Sequence, residues 1–250
     1  AWNDMRSYKC GTYENRHQWK APNKIVGWQN YDFGMAGAAA HSFALQWIVT
    51  GDIKYAHAAV EILNSWSRTL TAIESEAEDP HDHKRLVAGI HCGYWANAGE
   101  LLRYSDAPWE TADQHQFERM LREVFLPAMQ PRPNHFNGNW DLAIIKRTMA
   151  IAIFLDDRPL FDAEIERLKG AETNGSITNY LLPSGQCQET GRDQTHAQMG
   201  LGFLAQACEI AWNQGIDLYE FEDRSLGRCF EYLSRYNLGD DEVPFEPYPS

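Results

Sequence analysis

Four stretches of this chain are apolar around most of a helical circumference, and that pattern leaves few architectures open. Met35 to Thr50, Leu86 to Tyr104, Asn139 to Leu155 and His196 to Trp212 all show it. A helix apolar on nearly every side must be covered on nearly every side, so these read as inner helices. Alternating β-branched runs that would signal strands are scarce. Three inner helices are followed by a short polar turn and a second helix with a single apolar face. Thr50-Gly51-Asp52 leads into Ile53 to Trp66, Asp156 to Pro159 into Leu160 to Leu168, and Asn213-Gln214-Gly215 into a segment helical again over Ser225 to Tyr236. Gly just past one helix, then Asp or Pro opening the next, is stop and start chemistry. The second inner helix is expected to run on through Ser105 to Trp109 into Asp113 to Phe125, with Pro127 ending it. Inner-helix starts recur about every 50 to 57 residues, a period that suits stacked helical hairpins. The fold class expected is therefore all-α, an (α/α) toroid or incomplete α/α barrel, with residues 1–250 as one domain.

Long irregular stretches separate these helices: Ser7 to Phe33, Ile73 to Arg85, Met129 to Gly138, Ala171 to Thr195 and Val243 to Ser250. Most precede an inner helix, so they should gather at one mouth of the toroid, where a site is expected. The net charge of -13, without a basic stripe, disfavours a general nucleic-acid binder. An acidic ligand would need cationic groups concentrated in a cleft. No apolar run approaches the roughly 18 to 20 residues that span a bilayer, and the start at Ala1-Trp2-Asn3-Asp4 lacks the pattern of a signal peptide, so any leader is expected to have been removed. Cys10, Cys92, Cys187, Cys208 and Cys229 form no C-x-x-C pair, which argues against cysteine-ligated zinc. One or two disulfides remain open.

The third and fourth inner helices start with polar clusters, Asn137-Gly138-Asn139-Trp140-Asp141 and Glu189 to His196. Inner helices of successive hairpins run parallel, which lets Asn139 and His196 approach across one opening. Helix N-termini offer free N–H groups and a positive dipole end to a carboxylate, and Arg192 adds a planar fork for it. Trp140, Trp28, Tyr31 and Trp95 could give flat faces to sugar rings, although large aromatics more often fill core. The plainer alternatives are Asn139 as an N-cap, Arg192 with Asp193 as a surface ion pair, and His196 as a core histidine. His41 and His91 lie inside inner helices, as pore-lining or core residues. His81-Asp82-His83 lacks a third ligand at helical spacing and reads as a solvated loop. Nucleophile elbows, P-loops, dinucleotide fingerprints and H-E-x-x-H are absent. Paired carboxylates for glycoside hydrolysis stay open, with Asp141, Glu189 and Asp193 at the same mouth.

FNGNWDLA at Phe136 to Ala143 and GRDQTHAQMGLGFLAQACEIAWNQGIDLY at Gly191 to Tyr219 resemble the alginate lyase superfamily of toroidal polysaccharide lyases, most closely the family 38 alginate and glucuronan lyases. Weaker similarity covers HSFALQWIVTGDIKYAHAAVEILNSWS and the helix from Leu86 to Arg103, so nearly the whole chain is included. The resemblance implies an (α/α) toroid whose site uses an Asn and a His near the substrate carboxylate, a Tyr as base and acid, and often an Arg. Matched by motif, Asn139 takes the Asn role and His196 the His role. The Tyr is expected on a further helix, beyond Ser250; Tyr248 is the substitute within this chain. Arg192, Asn137, Trp140, Tyr31, His91 and Gln198 complete the candidate substrate-binding set.

The chemistry implied is β-elimination from an acidic polymer such as alginate or glucuronan. The proton at C5 of a uronate lies α to its carboxylate, and removing it adds charge to an anionic group. Asn139, His196 and Arg192 would offset that charge, and a Tyr or His would remove the proton while an acid protonates the O4 leaving group. No metal or organic cofactor is expected. A polymer too large to import implies a secreted protein, extracellular or periplasmic, with no nucleic-acid or membrane partner. A hydrolase on the same toroid and a non-catalytic polysaccharide binder are the alternatives.

Overall fold

A computed structural model describes residues 13–27, 31–132, 136–170 and 172–247. Residues 1–130 with 154–156 form one compact unit, and 131–153 with 157–250 a second. No helix among the described residues is long and apolar enough to cross a membrane.

In the first unit, α1 (Tyr31–Thr50) and α2 (Ile53–Thr69) form a hairpin. Gly51 takes the left-handed conformation that ends α1 (φ +66°), its N–H donating to Trp47 O at 2.8 Å. Asp52 then caps α2 by accepting from Lys54 N. Helix α1 also packs on α3 (Lys84–Arg103), and α2 on α4 (Thr111–Met120). Two three-residue strands, β1 (Lys24–Val26) and β2 (Ala72–Glu74), pair in parallel with the α1–α2 hairpin as their crossover. The sequence places both strands within or beside irregular stretches, because three residues are too few to show alternation. A second correction concerns the end of α3. The helix stops at Arg103, whose guanidinium donates to Phe154 O and Glu118 Oε1 and lies 3.9 Å over the Phe154 ring. Nor does Pro127 end the next helix. A π-helical turn over Leu121–Phe125 carries the chain into α5 (Leu126–Ala128), where the missing proline N–H is accommodated.

The first unit is held by aromatic rings. Phe33 stacks on Trp95 (centroids 5.6 Å apart), Trp66 lies 5.0 Å from Trp95, and Phe125 meets Phe33 edge-on. Trp95 is completely buried, which assigns it to packing and not to a sugar platform.

The second unit contains α6 (Gly138–Phe154), of which all but Phe154 belongs to it, then α7 (Arg158–Lys169), the short α8 (Ile177–Tyr180), α9 (Gln194–Asn213) and α10 (Phe221–Asn237). Left-handed backbone at Glu222, Asp223 and Arg224 delays the regular part of α10 to Ser225, where the sequence expects it. Leu142, Ile145 and Met149 of α6, Leu168 of α7, Tyr180 of α8 and Leu201, Leu204 and Cys208 of α9 share one apolar core. Asn139 lies level with Gly200 and Lys146 with Gln206, so α6 and α9 run parallel, as the hairpin repeat requires. Cys187, Cys208 and Cys229 are buried free thiols, Cys92 is buried, and Cys10 lies outside the described residues.

Candidate active site

Parallel packing of α6 and α9 puts their N-terminal ends in the same region of the second unit, and the loop from Leu181 to Asp193 supplies the groups around them. Successive turns close this loop, with Thr190 N donating to Cys187 O at 3.0 Å and Arg192 N to Glu189 O at 2.9 Å. They turn Glu189 inward, fully buried, and leave the Arg192 side chain 35% exposed. Glu189 is the centre of the cluster. Its Oε1 accepts from Asn139 Nδ2 at 2.5 Å and from Arg192 Nη1 at 3.0 Å, and its Oε2 accepts from the Tyr180 hydroxyl at 3.1 Å. Burial pushes the Glu189 carboxyl up, against the hydrogen bonds of Tyr180, Arg192 and Asn139 that favour its charged form.

His196 sits one turn nearer the start of α9 than Gly200. Asp193, the N-cap, accepts from His196 N at 2.8 Å through Oδ1 and from His196 Nδ1 at 2.6 Å through Oδ2. These bonds, first the backbone one, hold the Asp193 carboxyl below its ordinary value. A neutral ring that donates from Nδ1 to the Asp193 carboxylate carries its lone pair on Nε2. Arg192 Nε lies 3.8 Å from Asp193 Oδ2, which links His196 through Arg192 and Glu189 to Asn139 and Tyr180.

The structure thus gathers Asn139, Arg192 and His196, as the sequence expects, with two corrections. Asn139 is fully buried and does not front an opening; its Nδ2 serves Glu189, and its Oδ1 has no partner among the described residues. The helix N-termini are also occupied by the chain's own side chains, α9 by Asp193 and α6 by Gln188, whose Oε1 accepts from Gly138 N at 2.8 Å. Asn137 accepts from Trp140 N through its carbonyl, and the Trp140 ring lies 4.5 Å from that of Phe136, tilted by 39°. Gln198 is exposed and donates to Gln194 Oε1. His91 belongs to the first unit, edge-on to Phe33 and against Gly34. Tyr248, Trp28 and the Tyr31 side chain lie outside the described residues. The His81 to His83 run is organised by Asp79, which accepts from the backbone N–H of both histidines, and no metal-ligand cluster occurs among the described residues.

Sequence reasoning missed Tyr180. Its ring is clamped between Gly138 and Gly200, where a Cβ at either position would collide with it. Burial, then the neighbouring Cys187 and Glu189, push its hydroxyl far up, so Tyr180 stays a proton donor to Glu189 and not a base. The two glycines, 62 positions apart, are a signal only once α6 and α9 are known to pack together. The carboxylates proposed for hydrolysis are also committed. Both Glu189 oxygens are occupied, Asp141 is buried and accepts from Gly175 N, and Asp193 holds His196.

Solved structures share this fold. An alginate lyase A1-III variant complexed with tetrasaccharide matches at a TM-score of 0.70 and 15% identity, over 94% of this chain and 72% of that one. An alginate lyase from Bacteroides ovatus matches at 0.66 and 18% identity, over 87% of this chain and 62% of that one. A second A1-III variant with tetrasaccharide matches at 0.65 and 15% identity, over 88% of this chain and 63% of that one, so the chain spans less than two thirds of these last two. Curated proteins give no match. The fold is therefore all-α, the (α/α) toroid of polysaccharide lyases. The alginate lyase family model matches residues 31–245, and the chain belongs to that family.

Proposed function

We propose that this polysaccharide lyase cleaves a uronate polymer, alginate or glucuronan, by β-elimination, with His196 as the proton-transfer group. The observation that carries this reading is the Asp193–His196 pair at the mouth of α9, bonded to leave Nε2 as a base, beside an Arg192 whose outer edge remains exposed. Arg192 is read as the clamp on the substrate carboxylate, offsetting the charge that builds up as C5 loses its proton. Asn139 and Tyr180 act through Glu189 as positioning residues. They fix the carboxylate that fixes Arg192. Tyr248 is kept as the second proton-transfer group. Asn137, Trp140, Gln198, His91 and Tyr31 are kept as substrate contacts.

The family match runs through both compact units, which supports one catalytic domain. An extracellular or periplasmic location follows from a polymeric substrate. The test is absorbance at about 235 nm, where the unsaturated uronate product absorbs, with alginate and glucuronan supplied separately. A rise that falls by roughly 10²- to 10⁴-fold in His196→Ala is expected. Turnover with undiminished rate in that variant would remove His196 from the chemistry, and reducing sugar released without a 235 nm product would make the enzyme a hydrolase.

A further inference from the structure

Beside Asp193 a cavity of about 330 Å³ opens, within the range of small-ligand sites. Its walls come from three places. Thr190 and Asp193 belong to the loop before α9 and Gln194 to its first turn, Tyr236 to α10, and Asp241 and Phe245 to the segment that follows α10. That segment is built to stay in place. Asp240 ends α10 with an ion pair to Arg235 at 2.7 Å and accepts from Glu242 N. Further on, the completely buried Gln186 amide grips the backbone of Glu246 twice, accepting from its N–H and donating to its carbonyl at 3.0 Å. Gln186 sits three positions before Glu189, so one loop anchors both the cavity wall and the Arg192 cluster.

Tyr236 and Phe245 are 50% and 62% exposed and present their rings at this cavity. Next to them stand two carboxylates, a threonine hydroxyl and a glutamine amide. Flat apolar faces beside a hydroxyl acceptor suit a pyranose ring, with its C–H face on an aromatic and a hydroxyl on Asp241. The same two carboxylates repel a uronate carboxylate.

We infer that this cavity is a glycan subsite that takes one sugar ring of the polymer by its C–H face and hydroxyls, with any carboxylate turned outward to solvent. The inference rests on the lyase reading for its substrate. Asp193 both lines the cavity and holds His196, which puts the subsite next to the residue read as the base.

The test uses Tyr236→Ala and Phe245→Ala, both at exposed positions, and reads two quantities. Electrophoretic retardation in gels containing alginate or glucuronan reports binding without turnover, and the initial rate at 235 nm reports KM and kcat. The expectation is weaker retardation and a KM raised roughly three- to tenfold in each variant, with kcat within about twofold of the parent. Retardation and KM unchanged in both variants would overturn the subsite and leave the lyase reading standing. Parent protein retarded by neither polymer would overturn it as well. Retardation lost in the variants of a parent that yields no 235 nm product would support the subsite while sinking the lyase reading.

Discussion

The two compact units bury different things. The first fills its interior with rings: Phe33, Trp66, Trp95, Phe117 and Phe125 are all fully buried there. Of the twelve buried polar or charged side chains among the described residues, only Ser67 lies in it; the other eleven, including Asn139, Lys146, Glu164, Gln186 and Glu189, lie in the second. Burying polar groups costs stability unless each is bonded, and even then an apolar replacement is often as good. A unit that keeps so many is one whose interior has another task. The contrast points to the second unit as the place of the chemistry, where the buried Asn139 and Glu189 meet Arg192 beside the start of α9.

The sharpest way to break that contrast is to remove one large group from each unit and then attempt a rescue. Trp95→Ala should cost about 3 to 5 kcal/mol in chemical denaturation, by leaving a cavity, and Glu189→Ala about 2 to 6 kcal/mol, by leaving the buried Asn139 and Tyr180 donors without an acceptor. The rescues should differ. Trp95 Nε1 has no hydrogen-bond partner among the described residues, so Trp95→Phe sacrifices only volume and should recover roughly half the loss. Glu189→Leu restores volume without acceptors and should recover nothing, whereas Glu189→Gln restores one acceptor and should recover part. If Glu189→Leu proved as stable as the parent, the polar interior would not be what holds the second unit.

How much of this was legible beforehand differs between fold and site. The inner helices could be read because their apolar residues cover nearly the whole circumference, a pattern that survives any tertiary context; α9 was expected from His196 and runs from Gln194. The β1–β2 pair was invisible because parallel pairing over three residues depends on what the intervening hairpin brings together. At the site, His196 and Arg192 stood out by residue type at a helix start. Tyr180 did not, since nothing in TNYLLPSGQ distinguishes a tyrosine clamped by two distant glycines from one in a loop. The full burial of Asn139 was hidden for the same reason.

A smaller effect comes from Lys146, where the second unit buries an amine against Gln206 Oε1 at 2.7 Å and over the Phe203 ring at 3.6 Å. Burial, and then the charge of Arg147, lower its pKa to about 6. Between that value and the ordinary lysine value of 10.5, unfolding takes up a proton, so this residue's contribution to stability falls as pH drops and levels off below about 6. Lys146→Met should therefore stabilise the protein, by about 1 to 3 kcal/mol near neutrality, with the gain larger at pH 6 than at pH 9. Thermal melts across that range measure it. A gain independent of pH would mean the amine stays charged inside.

The smallest effect expected on stability is at Asp193, and it separates holding a helix from orienting a base. Its carboxyl is held below the ordinary value by the His196 backbone N–H and then by the His196 ring. A depressed carboxylate stabilises the fold above its unfolded pKa, and that contribution disappears as pH falls through the folded value, so the window lies below about pH 4. Because Asp193 is 44% exposed, solvent screens the pair, and Asp193→Asn should cost only about 0.2 to 1 kcal/mol at pH 7, with the gap to the parent closing in acid. Asparagine can still cap α9 through its carbonyl oxygen. It presents no charge to the His196 ring, however, so the Nδ1 proton loses the partner that kept Nε2 free. Turnover at 235 nm should then drop by roughly tenfold or more while the melting temperature barely moves. Equal small losses in both would reduce Asp193 to a helix cap and take the orienting role away from it.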